Sequence, residues 1–349
     1  MKSSCIEPPE SGGGLKTRAR GRWIGIALAF TACATNAALA QQPSARPAEN
    51  YPTKPVRVLV GSPAGSGTDV MMRAIAQKLS DRLGQSVVVD NRAGAAGSIS
   101  LQLAAQAAPD GYTLATLSAQ NVTAMLLGTV KTDIPKALTP VAQMISQPYL
   151  MVATPSLPAN SVRELIALAR TKPLVYASSG VGTVVHLGME LFKSMAGVEM
   201  THIPYKGSGL SMIDVMSGRV QLAITNTLTA APLVRSGKLK ALAITSPQRI
   251  QALPELPTVA ESGVPGYELR SWYGLLAPNK TPVPVVLMLN REVGALMNSP
   301  EVKERLAADG AEAAVANTPA QFRDLIHAEI ARWGKIIKNL GIKEKQELK

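Results

Sequence analysis

Residues 56–69 read Val-Arg-Val-Leu-Val-Gly-Ser-Pro-Ala-Gly-Ser-Gly-Thr-Asp and run into an apolar-periodic stretch over residues 71–83. A β-branched run, a Gly/Ser-rich turn and a helical pattern, in that order, form the strand–turn–helix unit of an α/β protein. The same order returns three more times. Residues 87–89 lead through Gly94-Ala-Ala-Gly97 to a helical pattern over 99–107, and residues 174–177 lead through Ser178-Ser-Gly-Val-Gly-Thr183 to 184–195. Residues 203–205 lead through Lys206-Gly-Ser-Gly209 to 210–216. The repetition predicts an α/β fold of mostly parallel sheets flanked by helices. In such a sheet all four turns lie at the carboxyl ends of the strands, the edge where open α/β folds bind ligands.

These turns carry the chemistry. Each precedes a helix, so each offers unpaired N–H groups and the positive end of a helix dipole, for which a small anion is the natural guest. Glycine lets backbone approach a ligand and takes positive φ without strain. In the first turn, Pro63, Ala64, Gly65, Ser66, Gly67, Thr68 and Asp69 are the candidate ligand contacts, with Ser66 and Thr68 as hydroxyl donors and Asp69 placed to receive N–H bonds at the helix start. In the third, Ser178, Ser179, Gly180, Gly182 and Thr183 are the candidates, with His186 one turn into the helix behind them. Micromolar binding requires about −8 kcal/mol. Four to six hydrogen bonds to a charged group, at about 1.5–3 kcal/mol each, offset the several kcal/mol lost in ordering a small ligand.

The ends and the composition narrow the class. Lys16, Arg18, Arg20 and Arg22 precede an apolar stretch over residues 23–34, and Ala38-Leu-Ala40 supplies small residues before a cleavage point, the layout of a secretory signal over residues 1–40. Its removal takes five of the 36 Lys+Arg and two of the 24 Asp+Glu, leaving 309 of the 349 residues and a net charge of +9. Both cysteines, Cys5 and Cys33, leave with it, so neither a disulfide framework nor a Cys-based zinc site is expected. Phe30-Thr-Ala-Cys33 loosely resembles a lipoprotein box, which leaves lipidation of Cys33 as an alternative. Residues 41–50 are polar and Pro-containing and read as an unstructured mature end. The lysines and arginines are scattered without an aromatic-plus-basic cluster, so no nucleic-acid partner is expected.

Enzyme signatures are missing from the first turn. No Gly-Lys-Ser/Thr follows Gly67, so there is no nucleotide P-loop; the Gly-x-Gly-x-x-Gly order of a dinucleotide site and a Gly-x-Ser-x-Gly elbow are also lacking. The three histidines, His186, His202 and His327, include no i, i+4 pair with a glutamate between, so no metal ligand set and no cofactor is expected. His186 is read either as a ligand contact or as a helix-capping or packing histidine, and His202 and His327 as structural.

Helix punctuation is clear elsewhere. Ser161-Val-Arg-Glu164 and Thr318-Pro-Ala-Gln321 read as capping boxes, and Ser299-Pro-Glu301 starts another helix. Apolar residues from Phe322 to Leu340 form one stripe that makes Trp333 a core residue.

Over nearly the whole mature chain the residues resemble the Bug family, the solute receptors of tripartite tricarboxylate transporters. Tyr51-Pro-Thr-Lys-Pro-Val-Arg57 with Pro63 to Asp69, Val89-Asp-Asn-Arg-Ala-Gly-Ala-Ala-Gly97, Pro109-Asp-Gly-Tyr-Thr-Leu114, Pro204-Tyr-Lys-Gly207, Gly237-Lys-Leu-Lys-Ala-Leu-Ala243 and Trp272-Tyr-Gly-Leu-Leu-Ala-Pro278 carry the resemblance. It implies a periplasmic binding protein of the two-domain flytrap type (type II-like), closing on a small organic acid. It further implies that the first and third turns hold a ligand carboxylate by backbone N–H groups and bridging waters, and that the strand ends at Ser118 and at Thr225-Asn226 line the same cleft. Gly61, Ala64 and Ser66 depart from the Pro-x-x-Pro-Gly-Gly usual around the first turn, and Ile224-Thr225-Asn226 replaces the common Phe-Asp-Asn. Loss of that acid weakens the expectation of an amino-bearing ligand.

A chain of this length favours two domains. Residues 44–145 plus 265–349 are expected to form one and 146–264 the other, with crossings near 144–148 and 263–269. The expected function is capture of a carboxylate-bearing metabolite for membrane permease subunits. The alternatives are a receptor that signals to a sensor protein, and a secreted enzyme using His186 and Asp69 as acid and base.

Overall fold

The computed structural model describes residues 50–308 and 310–342. The expected signal at residues 1–40, the polar segment to residue 49 and Cys33 lie outside them. The first half of the chain supplies β1 (Val56–Val60), α1 (Gly67–Leu83), β2 (Val87–Asn91), a 3-10 turn (Ala95–Gly97), α2 (Ser98–Gln106), β3 (Thr113–Ser118), α3 (Ala119–Leu126), α4 (Ile134–Ala137) and the long β4 (Leu138–Ala153). Then follow α5 (Val162–Ala169), β5 (Val175–Ser178), α6 (Val184–Ala196), β6 (Thr201–Pro204), α7 (Ser208–Met216), β7 (Leu222–Asn226), α8 (Thr227–Arg235) and β8 (Lys240–Ile244). The chain finishes with β9 (Arg270–Pro278), α9 (Val283–Met297), α10 (Pro300–Ala308), β10 (Glu312–Ala313) and α11 (Pro319–Asn339).

The strands lie in the order β2-β1-β3-β9-β4-β7-β5-β6, with β8 and β10 also pairing β4. The four strand–turn–helix units pair in parallel, β1 with β2 and β3, and β5 with β6 and β7. The centre of the sheet differs from the expected parallel arrangement: β9 runs antiparallel to β3 and β4, and β4 antiparallel to β7 and β8. Both central strands are buried along most of their length, so they carry continuous apolar runs rather than an alternating pattern. β4 joins the two halves: residues 138–148 pair with β9, and residues 149–153 pair with β7 and β8. Register slips at Pro140/Ala142, Gln143/Ile145 and Met151/Val152 bend it along the way.

One face of the sheet is covered across both halves by a core that includes Leu59, Leu117, Met151, Tyr176, Phe192 and Trp333. Separate clusters cover the other face, one around Val58, Met144 and Leu289 and one around Leu150, Val152 and Met212. The helix starts follow the capping chemistry. Thr318 and Gln321 form a reciprocal box, Thr318 N donating to Gln321 Oε1 at 2.8 Å and Gln321 N to Thr318 Oγ1 at 3.2 Å. Ser161 caps Glu164 N, but the Glu164 carboxylate reaches one residue further back, to Asn160 N at 2.8 Å. This layout brings the carboxyl ends of β1, β2 and β3 in one half, and of β5, β6 and β7 in the other, into reach of one region.

Candidate functional site

The third turn contacts the other half of the sheet at α3. A Cβ on Gly182 would lie 2.4 Å from Leu127 Cδ1, the end of a flexible side chain, and Gly182 itself holds φ +76°, a conformation that favours glycine. Beside this contact lies a cavity of about 370 Å³, a size usual for small-molecule sites. Ser179, Gly180, Val181, Gly182 and Thr183 form one wall; Ala95 and Ala96 of the second turn with Gln120, Ala124, Leu127 and Thr129 form the facing wall; Tyr205 and Lys206 close it. Among the described residues Lys206 is the one charged lining residue, and no carboxylate lines the space.

The amides of the third turn fall into two sets. Gly180 N donates to Ser178 Oγ at 3.1 Å, Gly182 N to His186 Nδ1 at 3.1 Å, Thr183 N to Gly180 O at 3.3 Å, and His186 N to Thr183 Oγ1 at 3.4 Å. Ser179 N and Val181 N take no partner among the described residues. Val184 and Val185 open α6 and add the orphan donors of any first helical turn. Opposite them Ala95 and Ala96 hold positive φ of 45° and 53°. Two consecutive left-handed alanines cost on the order of 1–2 kcal/mol each, and strain of that kind concentrates at ligand sites.

The first turn stands behind this wall. Its leading Gly61 packs on the second turn, where a Cβ would come 2.7 Å from Gly97 Cα. Pro63, Ala64 and Gly65 are exposed, and among the described residues from Pro63 to Asp69 none lines the cavity. Ser66 caps α1 by accepting Asp69 N at 3.3 Å, and its own hydroxyl donates to Ser62 Oγ at 2.8 Å. Asp69 is 2% exposed. Its carboxylate accepts from Gly65 N at 2.8 Å, Asn91 Nδ2 at 2.8 Å and Arg73 Nε at 3.0 Å. The Arg73 hydrogen bond leads the effects that hold this carboxyl below the usual carboxylate range, with Gly65 and Asn91 adding to it against the cost of burial. Ala64 N in the loop before α1 and Thr68 N in its first turn have no partner among the described residues.

The remaining expected residues sit at neighbouring strand ends. Ser118 ends β3 and donates through both N and Oγ to Asn121 Oδ1, each at 2.8 Å; Asn121 Nδ2 in turn donates to Ala96 O at 2.7 Å, tying Ser118 to the second turn. Asn226 caps α8 by accepting Thr229 N at 2.8 Å. Thr225 is buried, and its Oγ1 has no partner among the described residues. His186, 6% exposed, spends Nδ1 on Gly182 N, and no bond or ring contact joins it to Asp69. Ala95, Ala96, Leu127, Tyr205 and Lys206 were not singled out from the sequence as site residues, although the glycine turns that contain or adjoin four of them were; only Leu127 had no local signal. Among the described residues no group of three or more His, Cys, Asp or Glu is placed to hold a metal ion, and no helix is long and apolar enough to cross a membrane.

Known proteins are similar to this chain in sequence and fold. The profile of the tripartite tricarboxylate transporter family receptor matches residues 71–342. Protein BugT of Bordetella pertussis is 38% identical over 303 residues, spanning 85% of this chain and 93% of that protein. R. palustris Rpa4515, solved with adipate, superposes with a TM-score of 0.77 at 40% identity over 84% of this chain and 99% of its own. MatC of Rhodopseudomonas palustris, solved with bound malate, gives 0.71 at 30% identity over 82% and 100%. With a profile match across most of its length and relatives of this similarity over nearly their whole chains, the protein belongs to the tripartite tricarboxylate transporter receptor family.

Proposed function

We propose that this receptor captures a short aliphatic dicarboxylate in the cavity between the second and third turns and presents it to the membrane subunits of a tripartite transporter. The observation that carries this reading is a pair of amides, at Ser179 and Val181, with no partner among the described residues, in residues that line a space where Lys206 is the one charged residue among those described. One carboxylate is received by those amides and the start of α6, the other by the Lys206 ammonium. Ala95, Ala96, Ala124 and Leu127 provide an aliphatic surface for the methylenes between them. The relatives solved with adipate and malate, both dicarboxylates, support this ligand class. The first turn, through Ala64 N and Thr68 N, and the strand ends at Ser118, Thr225 and Asn226 complete the grip when the lobes close. Those lobes are residues 44–145 plus 265–349 and residues 146–264, hinged at 144–148 and 263–269. Residues 1–40 direct the chain to the periplasm and are removed.

The enzymatic alternative finds no support at its two residues, because Asp69 and His186 are both engaged in holding their own turns. The test is calorimetry of the mature chain with adipate, malate, citrate and benzoate. The expected result is micromolar binding of a dicarboxylate that is recovered unchanged. Absence of binding across the panel contradicts the reading.

A further inference from the structure

Behind the third turn lies a group of titratable side chains, Tyr176 and His186 buried and their neighbours partly so, that the capture of a ligand does not itself use. His186 of α6 and His202 of β6 stack with ring centroids 4.1 Å apart, and Tyr176 of β5 stacks on His202 at 4.9 Å. The Tyr176 hydroxyl donates to the Glu190 carboxylate, which also takes Lys193 Nζ at 2.9 and 3.0 Å. Lys193 in turn faces Glu199 at 3.6 Å. Two bonds run from the ring pair into the turn. Gly182 N donates to His186 Nδ1 at 3.1 Å, and His202 Nε2 shares a 2.6 Å bond with Ser178 Oγ, the atom that accepts Gly180 N.

We infer that His186 and His202 are positioning residues of the anion-accepting turn: as uncharged imidazoles they take up the two glycine amides that do not serve the ligand, Gly182 directly and Gly180 through Ser178, leaving Ser179 and Val181 for it. The inference rests on the functional reading given above. An amide donor requires a bare nitrogen at His186 Nδ1, so the bond exists only while that nitrogen carries no proton. Burial, the leading cause at both rings, favours the neutral state, and Glu190, the opposing influence, is already neutralised by Lys193. The choice of acceptor matters. The first turn makes the same bond with a carboxylate, Asp69, to Gly65 N. A carboxylate in that role beside the cavity sets like charge against the ligand.

The experiment combines hydrogen exchange at Gly182 and Gly180 with adipate titration of three variants. Asparagine places a neutral oxygen where His186 has Nδ1, so His186→Asn keeps Gly182 protected and adipate affinity within about threefold of wild type. His186→Leu removes the acceptor; Gly182 exchange accelerates at least tenfold and affinity falls by a similar factor or more, about the effect of one hydrogen bond to a charged ligand. His186→Asp keeps Gly182 protected yet loses adipate tenfold or more by repulsion. Wild-type affinity in His186→Asp, or unchanged Gly182 protection in His186→Leu, overturns the inference. Should His186→Asp not fold, the contrast between Asn and Leu decides. If adipate does not bind the wild-type chain, the ligand assignment fails while exchange at Gly182, and at Gly180 in His202→Phe, still tests the positioning role: unchanged protection refutes it.

Discussion

Ser66, Asp69 and Gly65 in the first turn stand in the same relation as Thr183, His186 and Gly182 in the third. In each, a hydroxyl residue caps the helix by accepting the amide three positions on, and the residue at that position reaches back to accept a glycine amide just before the cap. The two glycines hold nearly the same φ, +79° and +76°. The acceptors differ in charge: Asp69 is an anion braced by Arg73 and Asn91, whereas His186 is neutral and stacked on a second histidine. The turn with the neutral acceptor lines the cavity and the turn with the anionic acceptor does not. The same turn geometry therefore holds an anionic acceptor in one place and a neutral one in the other, and among the described residues only the turn with the neutral acceptor borders the cavity.

The comparison breaks first at the glycines. Gly182→Ala strains a positive φ and pushes the Leu127 side chain aside at the cavity wall, and adipate affinity should fall about tenfold. At Gly65 nothing lies within 4 Å of the added carbon, so Gly65→Ala should cost only the backbone strain, about 1–2 kcal/mol of stability, with a smaller loss of affinity. Equal losses at the two sites would erase the distinction drawn between them.

Next come the acceptors. Asp69→Ala strands Gly65 N and removes one of the two bonds made by Asn91 Nδ2 and the partner of Arg73 Nε, and should lower stability by about 2–3 kcal/mol in urea unfolding, against a smaller effect on adipate affinity than Gly182→Ala.

Acid should separate the turns by pH window. The folded state lowers both histidines, His202 to about 4, so their contribution is full above the unfolded value of about 6.5 and is lost as pH falls from there toward 4. Asp69 is lowered from its own ordinary value, so its contribution persists until pH falls below about 4. Urea midpoints measured between pH 7 and 4 should decline in wild type and flatten in His186→Asn/His202→Gln; an unchanged slope in that variant removes the histidines from the account.

The smallest effects are at the caps, where Ser66→Ala and Thr183→Ala should each cost about 1 kcal/mol. Only the second should also weaken adipate binding, because Thr183 Oγ1 braces Gly180 O at 2.7 Å.

Much of this was legible in the chain. The run Val56–Val60 is a strand over those residues, and the four glycine turns fall where strand–turn–helix punctuation puts them. The central strands β4 and β9 were not visible, because stretches such as Gln147-Pro-Tyr-Leu-Met-Val-Ala153 are buried on both faces and carry no alternation. Their antiparallel pairing follows from partners distant in sequence. The turns announced themselves through glycine, but which of them share a cavity depends on how β4 carries the second half against α3. Leu127 acquires its role only in that contact. The sequence leaves His186 open between capping and ligand contact; the structure shows its Nδ1 accepting Gly182 N, a bond that sequence spacing does not reveal.

The central claim is that main-chain amides of the third turn receive the ligand's carboxylate. Amide nitrogen and proton shifts followed while adipate is titrated into the mature chain test it most directly. The account predicts the largest changes at Ser179 and Val181, with Ala95 and Ala96 next. Saturation of binding with those amides unmoved, and the largest changes elsewhere, would contradict it.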